Sequence, residues 1–206
     1  MPQQFRLCYI TDRHTLVLTP LVSHVRTVVQ AGVDLIQLRE KDMSGRDLAA
    51  LASAAVGIAR GTNTRIIIND RLDVAMAAEA DGVHLGGQSV APEIVRRHVG
   101  NDFLIGVSCH SMEEALKAEA SGADYILFGP VFDTPSKRQY GPPVGLNKLS
   151  EVANRVKVPV LALGGITVER VRPCIEAGAT GIAGIRLFQE CSSVEDLVSE
   201  LRAQFP

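Results

Sequence analysis

The sequence lacks any hydrophobic run long enough to cross a membrane. Apolar stretches such as 65–68 and 158–163 are far shorter than the roughly 20 residues that span a bilayer. It also lacks an excess of either charge: 21 Lys and Arg against 23 Asp and Glu give a formal net charge of -2, unlike the cationic surface of a dedicated nucleic-acid-binding protein. The first six residues show no signal-peptide pattern. We therefore expect a soluble, cytoplasmic protein that binds neither membranes nor nucleic acid.

Cysteine is scarce as well. Cys8, Cys109, Cys174 and Cys191 are irregularly spaced, without a Cys-x-x-Cys pair, so neither a zinc site nor a disulfide framework is predicted. At 206 residues the chain is long enough to bury a core by packing alone. No linker or change of composition divides it, and we predict one domain, residues 1–206.

Short β-branched runs alternate with helix-like stretches along the whole chain. Apolar residues recur at helical spacing between the runs, and Ser44, Ser111 with Glu114, and Thr167 stand at plausible helix N-caps. Eight strands, each followed by a helix, predict a single (β/α)8 TIM barrel; a doubly wound open sheet is the alternative, because it alternates in the same way. The candidate strands are 7–11, 34–39, 65–69, 82–85, 103–107, 124–128, 159–163 and 181–185.

A weak internal repeat supports the barrel. Each of the segments 31–34, 80–83, 121–124 and 177–180 contains a glycine and is expected to close a helix and open a strand. Glycine just past a helix adopts the left-handed conformation at low cost. The repeat therefore supports the predicted fold and gives no information about a substrate.

The polar residues just past each apolar run are the candidate site, because TIM barrels carry their active sites at the carboxyl ends of the strands. Gln37, Arg39 and Lys41 alternate, so they should share one face, toward the barrel axis. Converging cations are costly unless an anion meets them, which favours an anionic ligand over the alternative of pairing with buried carboxylates such as Asp70.

A second anion site is predicted after the seventh and eighth strands. Gly164 and Gly165 lead into Thr167 and a helix, an arrangement that resembles the phosphate cradle after strands 7 and 8 of many barrels. Arg186, one strand later, could bind a phosphate as a fork. The long loop from about Gly129 to Pro143 is predicted to be a lid, with a plain surface loop as its alternative.

Three further residues are open between chemical and structural roles. Asp70 is a candidate Mg²⁺ ligand or, equally, the N-cap of the helix that follows it. His110, after the fifth strand, could act as an acid or base near neutral pH, and His84 is a weaker candidate that could simply pack in the core.

Over nearly its whole length the sequence resembles thiamine phosphate synthase and its relative, the TenI-type thiazole tautomerase. No single segment decides this, but their order and spacing are specific. The segments that carry the resemblance are 9–12 (YITD), 37–41 (QLREK), 68–71 (INDR), 80–86 (ADGVHLG), 105–111 (IGVSCHS), 129–132 (GPVF), 134–137 (TPSK) and 162–167 (ALGGIT).

The resemblance implies a thiamine-biosynthesis transferase that joins hydroxymethylpyrimidine diphosphate to hydroxyethylthiazole phosphate and releases pyrophosphate with the help of Mg²⁺. Small phosphorylated substrates are thus the expected partners, and a homo-oligomer is left open. The site assigned on this basis has His110, Lys137 and Arg39 as catalytic residues; Gln37, Lys41, Asn69, Ser108, Thr134, Ser136, Gly164, Gly165 and Arg186 as substrate-binding residues; and Asp70 and Ser89 at the metal.

Two departures from the synthase pattern keep other functions open. Ser89 stands where the synthases have a second metal-binding Asp, and 186–188 reads Arg-Leu-Phe where they have Ser-Ala-Ile at the phosphate turn. Both changes resemble the tautomerase branch, in which the histidine matching His110 would move a proton on a carboxythiazole phosphate. A barrel that binds a phosphorylated ligand without turnover is the third candidate.

Overall fold

A computed structural model describes residues 5–16, 19–134 and 142–206 and shows eight parallel strands in a closed barrel. β1 pairs with β2 on one side and with β8 on the other, which closes the sheet and excludes the open doubly wound alternative. The predicted TIM barrel is therefore confirmed. The strands are β1 Leu7–Ile10, β2 Leu35–Leu38, β3 Arg65–Asn69, β4 Gly82–Leu85, β5 Leu104–Cys109, β6 Tyr125–Phe128, β7 Val160–Leu163 and β8 Gly181–Gly184.

Helices follow the strands and cover the outside of the barrel. Among the described residues, no helix is both long enough and apolar enough to cross a membrane. A 3-10 helix at Arg13–Thr15 follows β1. The α-helices are α1 Leu21–Gln30, α2 Gly45–Ala59, α3 Leu72–Ala77, α4 Pro92–Arg96, α5 Met112–Ala120, α6 Gly145–Arg155, α7 Val168–Glu176, α8 Arg186–Gln189 and α9 Val194–Arg202.

Successive strand residues point alternately to the helices and to the barrel interior. In β1, Leu7 and Tyr9 pack in the large cluster with the helices, whereas Cys8 and Ile10 belong to the interior cluster. Both faces are apolar because both are buried, as expected of a parallel sheet. In β2, Leu35 lies in the interior cluster, so Gln37, two residues later, faces the interior one layer nearer the carboxyl end.

The predicted strand limits agree with the observed ones to within one residue, except at β5. β5 continues to Cys109, two residues beyond the expected end, because its backbone stays paired with β6 through Cys109 and Phe128. Ser108 therefore lies within a strand and not in the loop after it.

The predicted helix caps are confirmed in part. Ser44 accepts the N–H of Asp47, and Ser111 accepts the N–H of Glu114. In a capping box the Glu114 carboxylate would accept the N–H of the N-cap residue, Ser111. It accepts instead the N–H of His110, one residue earlier, at 2.5 Å. Thr167 occupies the N-cap position of α7, but its hydroxyl donates to Glu169 and makes no cap.

The internal repeat ends helices as expected at three of its four positions. Gly32, Gly122 and Gly178 have φ of 82°, 87° and 97°. The expectation was wrong at Gly82, which lies in β4, while Glu79 takes the left-handed conformation with φ 54°. Gly82 has a different reason: a Cβ there would stand 2.2 Å from the carbonyl oxygen of Leu104.

The same repeat supplies three aspartates that bind the barrel strands together at their amino ends. Asp34 accepts the N–H groups of Arg6 and Leu7, and Asp124 accepts that of Ile105 at 2.7 Å. Asp81 accepts the N–H of Ile66, and the three carboxylates also pair with Arg202, Arg96 and Arg65 respectively. Each aspartate thus links its own strand to the neighbouring one.

We predict that Asp124→Ala destabilises the fold by about 2 kcal/mol, because it leaves the N–H of Ile105 without an acceptor and removes the carboxylate that pairs with Arg96. Urea unfolding measures the change. Glu176→Gln removes one member of an exposed pair with Arg172 and should change the free energy of unfolding by less than about 0.5 kcal/mol. Equal effects of the two substitutions would contradict the assigned role.

Candidate active site

A cavity of about 590 Å³ lies at the carboxyl ends of the strands. It brings together eleven of the fourteen residues predicted for the site. Of the other three, Ser89 contacts two of the lining residues, Asp70 and Gly86. Ser136 and Lys137 lie outside the described residues, as does the rest of segment 135–141 of the predicted lid. The eleven are Gln37, Arg39, Lys41, Asn69, Asp70, Ser108, His110, Thr134, Gly164, Gly165 and Arg186.

Gln37 is a buried donor at the base of this cavity. Its side chain belongs to a residue only 2% exposed, and its Nε2 has no hydrogen-bond partner in the part of the chain that the structure describes. Leaving a buried amide donor unpaired costs about 1–3 kcal/mol. An acceptor on a ligand in the cavity would remove that cost.

Arg39 directly follows β2, Lys41 lies in the turn after it, and both line the same cavity. Neither side chain forms an ion pair or a hydrogen bond with another described residue. The alternative that these cations pair with a buried carboxylate such as Asp70 is therefore wrong. Two cations without a counter-charge favour an anion between them.

Asp70 is an exposed carboxylate at the rim, held in the left-handed conformation with φ 61°. Its oxygens accept hydrogen bonds from Asn69 Nδ2 at 2.8 Å and from the hydroxyl of Ser89. The alternative that Asp70 caps the following helix is wrong, because α3 begins at Leu72 with Arg71 at its N-cap.

Asp70 and Ser89 together offer the donor set of a weak Mg²⁺ site. Mg²⁺ prefers oxygen and is often bound by one or two carboxylates together with water and substrate phosphate. Ser89 also accepts the N–H of Gly86 at 2.6 Å, which fixes its oxygen beside Asp70. No cluster of three or more His, Cys, Asp or Glu side chains occurs within residues 5–16, 19–134 and 142–206. Most metal ligands would thus come from solvent and substrate.

The part of the cavity at the carboxyl ends of β7 and β8 is built largely from backbone. Gly164 and Gly165 have φ of 96° and 64°, and a Cβ on Gly165 would lie 2.6 Å from the carbonyl oxygen of Asp133. Arg170 donates to the Gly165 carbonyl at 2.6 Å and stacks over Phe132, 4.7 Å from the ring centre. These contacts fix the turn that precedes α7, whose N-terminus favours an anion.

Arg186 and Thr134 add side chains to this backbone turn. Arg186 is the first residue of α8, lines the cavity and donates from Nη2 to the Thr134 hydroxyl at 3.3 Å. A guanidinium beside the Gly164–Gly165 turn gives this end positive charge as well. The cavity therefore has two cationic ends, one at β2 and one at β7 and β8.

His110 has a defined tautomer. Its Nδ1 lies within hydrogen-bond distance of the Gly129 carbonyl oxygen, which can only accept, so Nδ1 carries the hydrogen. Nε2 then carries the lone pair and can accept a proton. His110 is exposed and lines the cavity, and so meets the first requirement for an acid or base.

His84 differs from His110 in being buried. It is 2% exposed, and burial lowers its pKa to about 3, an effect that Asp70 opposes and Arg39 reinforces. Its Nε2 lies 2.8 Å from the hydroxyl of Ser108, which it orients in the cavity. His84 is thus a neutral support for Ser108 and not an acid or base near pH 7.

Other lining residues have no role in the site assigned from the sequence. Asp12 and Thr15 line the cavity from the segment after β1, and Gly86 and Gly87 line it after β4. Asp12, Gly86 and Gly87 directly follow apolar runs and so belong to the segments in which the sequence predicts the site. Thr15 lies too far beyond β1 for its strand position to indicate its direction.

A sequence model of the thiamine monophosphate synthase family matches residues 7–188. The chain is 43% identical over 176 residues to the thiamine-phosphate synthase of Roseiflexus sp. (strain RS-1), covering 85% of this chain and 75% of the relative. It is 44% identical over 184 residues to the thiamine-phosphate synthase of Chlorobium phaeovibrioides, covering 89% and 86%.

A solved structure shows the same similarity in three dimensions. The thiamine phosphate pyrophosphorylase from Pyrococcus furiosus superposes with a TM-score of 0.87 at 34% identity, covering 98% of this chain and 95% of the other. The likeness therefore extends over the strands and loops that form the cavity.

We predict that His84 makes stability depend on pH. Because its folded pKa is about 3, against a usual 6.5, the unfolded chain binds the extra proton between these values and stability falls as the pH drops through that window. The slope from this one group is at most about 1.4 kcal/mol per pH unit. Urea unfolding from pH 7 to 5 should show a smaller slope for His84→Asn than for the unsubstituted chain. His98→Asn, at an exposed position, is the control, and an unchanged slope in His84→Asn would contradict the assignment.

Proposed function

The chain belongs to the thiamine monophosphate synthase family, and we propose that it joins hydroxymethylpyrimidine diphosphate to hydroxyethylthiazole phosphate with release of pyrophosphate. The observation that carries the proposal is the single cavity with two cationic ends, Arg39 and Lys41 at one and Arg186 at the other. Two phosphorylated substrates that react with each other require this arrangement.

The diphosphate is assigned to the β2 end of the cavity. Arg39 and Lys41 lack counter-charges among the described residues, and a diphosphate supplies them. The unpaired Nε2 of Gln37 then donates to an acceptor nitrogen of the pyrimidine ring. From the family resemblance, Asn69, Ser136 and Lys137 contribute to the same substrate.

The thiazole phosphate is assigned to the Gly164–Gly165 turn. The N–H groups of Gly165 and Ile166 make no hydrogen bond to any described residue and can donate to phosphate oxygens. Arg186 and Thr134 lie beside them. The turn binds the phosphate at one end of the cavity, so the thiazole ring extends toward the pyrimidine.

Mg²⁺ is assigned to Asp70 and Ser89, whose oxygens suit a hard cation. When bound, the ion would neutralise charge on the diphosphate as it leaves. Ser89 contributes a neutral hydroxyl where the family pattern has a carboxylate, so we propose a weaker metal site that depends on the substrate phosphates for further ligands.

The reaction needs positioning and charge more than covalent help from the protein. The bond between the pyrimidine methylene carbon and the diphosphate oxygen breaks, and both electrons leave with pyrophosphate. The lone pair of the thiazole nitrogen then forms the new carbon–nitrogen bond. Arg39 and Lys41 stabilise the charge that accumulates on pyrophosphate, and the cavity holds the two rings close together.

Incubation with both substrates and Mg²⁺ should release pyrophosphate and form thiamine phosphate. We predict that Arg39→Ala lowers kcat/KM by about 10²-fold, because it removes a donor that meets charge developing in the transition state. Arg172→Ala removes an exposed arginine paired with Glu176 on α7 and should leave the rate unchanged. Wild-type activity that survives Arg39→Ala in full would contradict the assigned role.

The TenI-type tautomerase remains the second candidate because of one observation: His110 presents Nε2 as a proton acceptor, with Nδ1–H held by the Gly129 carbonyl. If the protein isomerises a carboxythiazole phosphate, His110→Ala should abolish the reaction by removing the group that moves the proton, and Arg39→Ala should matter little. Separation of the two carboxythiazole isomers by chromatography measures this. The synthase function predicts the opposite: Arg39→Ala should lower the activity more than His110→Ala does.

A phosphate-ligand-binding barrel is the remaining outcome of these assays. It predicts saturable binding of thiazole phosphate by calorimetry with neither pyrophosphate release nor isomerisation. The three functions are therefore separated by one set of substrates and two substitutions.

A further inference from the structure

One arginine binds the two carboxylates that alternate with the cavity cations. Arg39 and Lys41 line the cavity, whereas Glu40 and Asp42 do not. Arg13, from the segment after β1, donates from Nη1 to Glu40 at 3.1 Å and binds both oxygens of Asp42 at 2.5 Å. The fork also holds the pKa of Asp42 well below its usual range. The same stretch of chain thus presents cations on one side and is fixed by its acids on the other.

The contact with Glu40 extends to the backbone of Arg39 through the hydroxyl of Thr11. The Glu40 side chain is 1% exposed and accepts the hydroxyl of Thr11 at 2.6 Å. The oxygen of that hydroxyl accepts the N–H of Arg39 at 3.0 Å, and the N–H of Arg13 also donates to Glu40, at 3.2 Å. A buried carboxylate with these donors has one well-defined position, and so has the backbone beside it.

The segment that carries Arg13 is tied on its other side to α8. Thr15 donates to Gln189 Oε1 at 2.5 Å, and Gln189 Nε2 donates to the Tyr9 hydroxyl at 2.9 Å and to the Asp12 carbonyl at 3.0 Å. Gln189 of α8 thus fixes the segment around Arg13, and Arg13 in turn binds the chain after β2. The Arg13–Glu40–Asp42 cluster joins three neighbouring loops into one support.

We propose that Arg13 is a positioning residue for anion binding: by gripping Glu40 and Asp42 it holds Arg39 and Lys41 in place at the β2 end of the cavity. Two like charges on neighbouring side chains repel each other and gain hydration by moving into solvent. A fixed backbone limits that movement and lowers the ordering cost when an anion binds. Arg13 itself does not line the cavity, so it acts through its partners. That the anion is a diphosphate rests on the proposed function.

Asp42→Asn separates positioning from simple charge. Removing a negative charge near the site should strengthen anion binding if only the summed charge matters. If Arg13 acts by binding both Glu40 and Asp42, the loss of the Asp42 carboxylate leaves the chain around Lys41 less firmly held. Anion binding then becomes weaker instead of stronger. The two explanations therefore predict opposite signs for one conservative substitution at an exposed position.

The test is calorimetric binding of inorganic pyrophosphate to the full chain. We expect the Kd to rise about tenfold in Arg13→Ala and about threefold in Asp42→Asn, because misplaced binding groups lose much of their effect. Arg13→Lys keeps the charge but cannot bind bidentately, and should weaken binding nearly as much as Arg13→Ala. Arg172→Ala and Glu176→Gln, which break an exposed pair on α7, are matched controls that should bind like the unsubstituted chain. In steady-state assays, KM for the pyrimidine diphosphate should rise while KM for the thiazole phosphate stays constant.

Unchanged or tighter pyrophosphate binding by Asp42→Asn overturns the inference, and so does full rescue by Arg13→Lys. A thermal melting curve for each variant shows whether it is folded at the assay temperature. If Arg13→Ala is unfolded there, the pyrophosphate affinities of Asp42→Asn and Arg13→Lys test the inference. An unsubstituted chain that neither binds pyrophosphate nor forms thiamine phosphate overturns both this inference and the proposed function. A chain that forms thiamine phosphate, with variants that bind normally, overturns the inference alone.

Discussion

The uncompensated positive charge at the carboxyl end of β2 is the feature on which the site depends. Arg39 is half-buried and Lys41 is exposed at the cavity, and their side chains have no ion-pair partner in the described ranges. Contact with water makes these unpaired charges tolerable until an anion binds. Glu40 and Asp42 face the other way and are satisfied by Arg13, so neither can neutralise the cavity. The fold thus keeps the cations available for a ligand.

The rest of the cavity follows the same division between side chains and backbone. One end uses long cationic side chains and the amide of Gln37, whereas the other uses the Gly164–Gly165 turn with Arg186. A turn with two left-handed residues leaves no room for Cβ atoms but exposes N–H groups. Cationic side chains suit a departing diphosphate, on which negative charge accumulates, and a turn of backbone N–H groups suits a phosphate that remains attached throughout.

Several errors of sequence interpretation share one physical cause. Thr167 and Asp70 have the residue type and position of helix caps, but their side chains found stronger partners in Glu169 and in Ser89 with Asn69. Gly82 fits the helix-ending repeat, but Glu79 ends that helix and Gly82 is required by the close approach of Leu104. Local preferences of about 1 kcal/mol are easily exceeded by tertiary contacts.

Local patterns of the sequence were enough to predict the barrel, most strand limits and eleven of the cavity residues, because hydrophobic period and strand ends are local properties. Gln37, Arg39 and Lys41 line one cavity, as their spacing predicts. Which charges are left unpaired depends on the closed barrel. The pairing of Arg13 with Glu40 and Asp42 and the tautomer of His110 depend on contacts between residues 19 to 29 positions apart. The neutral state of His84 depends on its burial in the barrel. Residue type and local spacing cannot specify such contacts, because they form only when the closed barrel brings separate strand ends together.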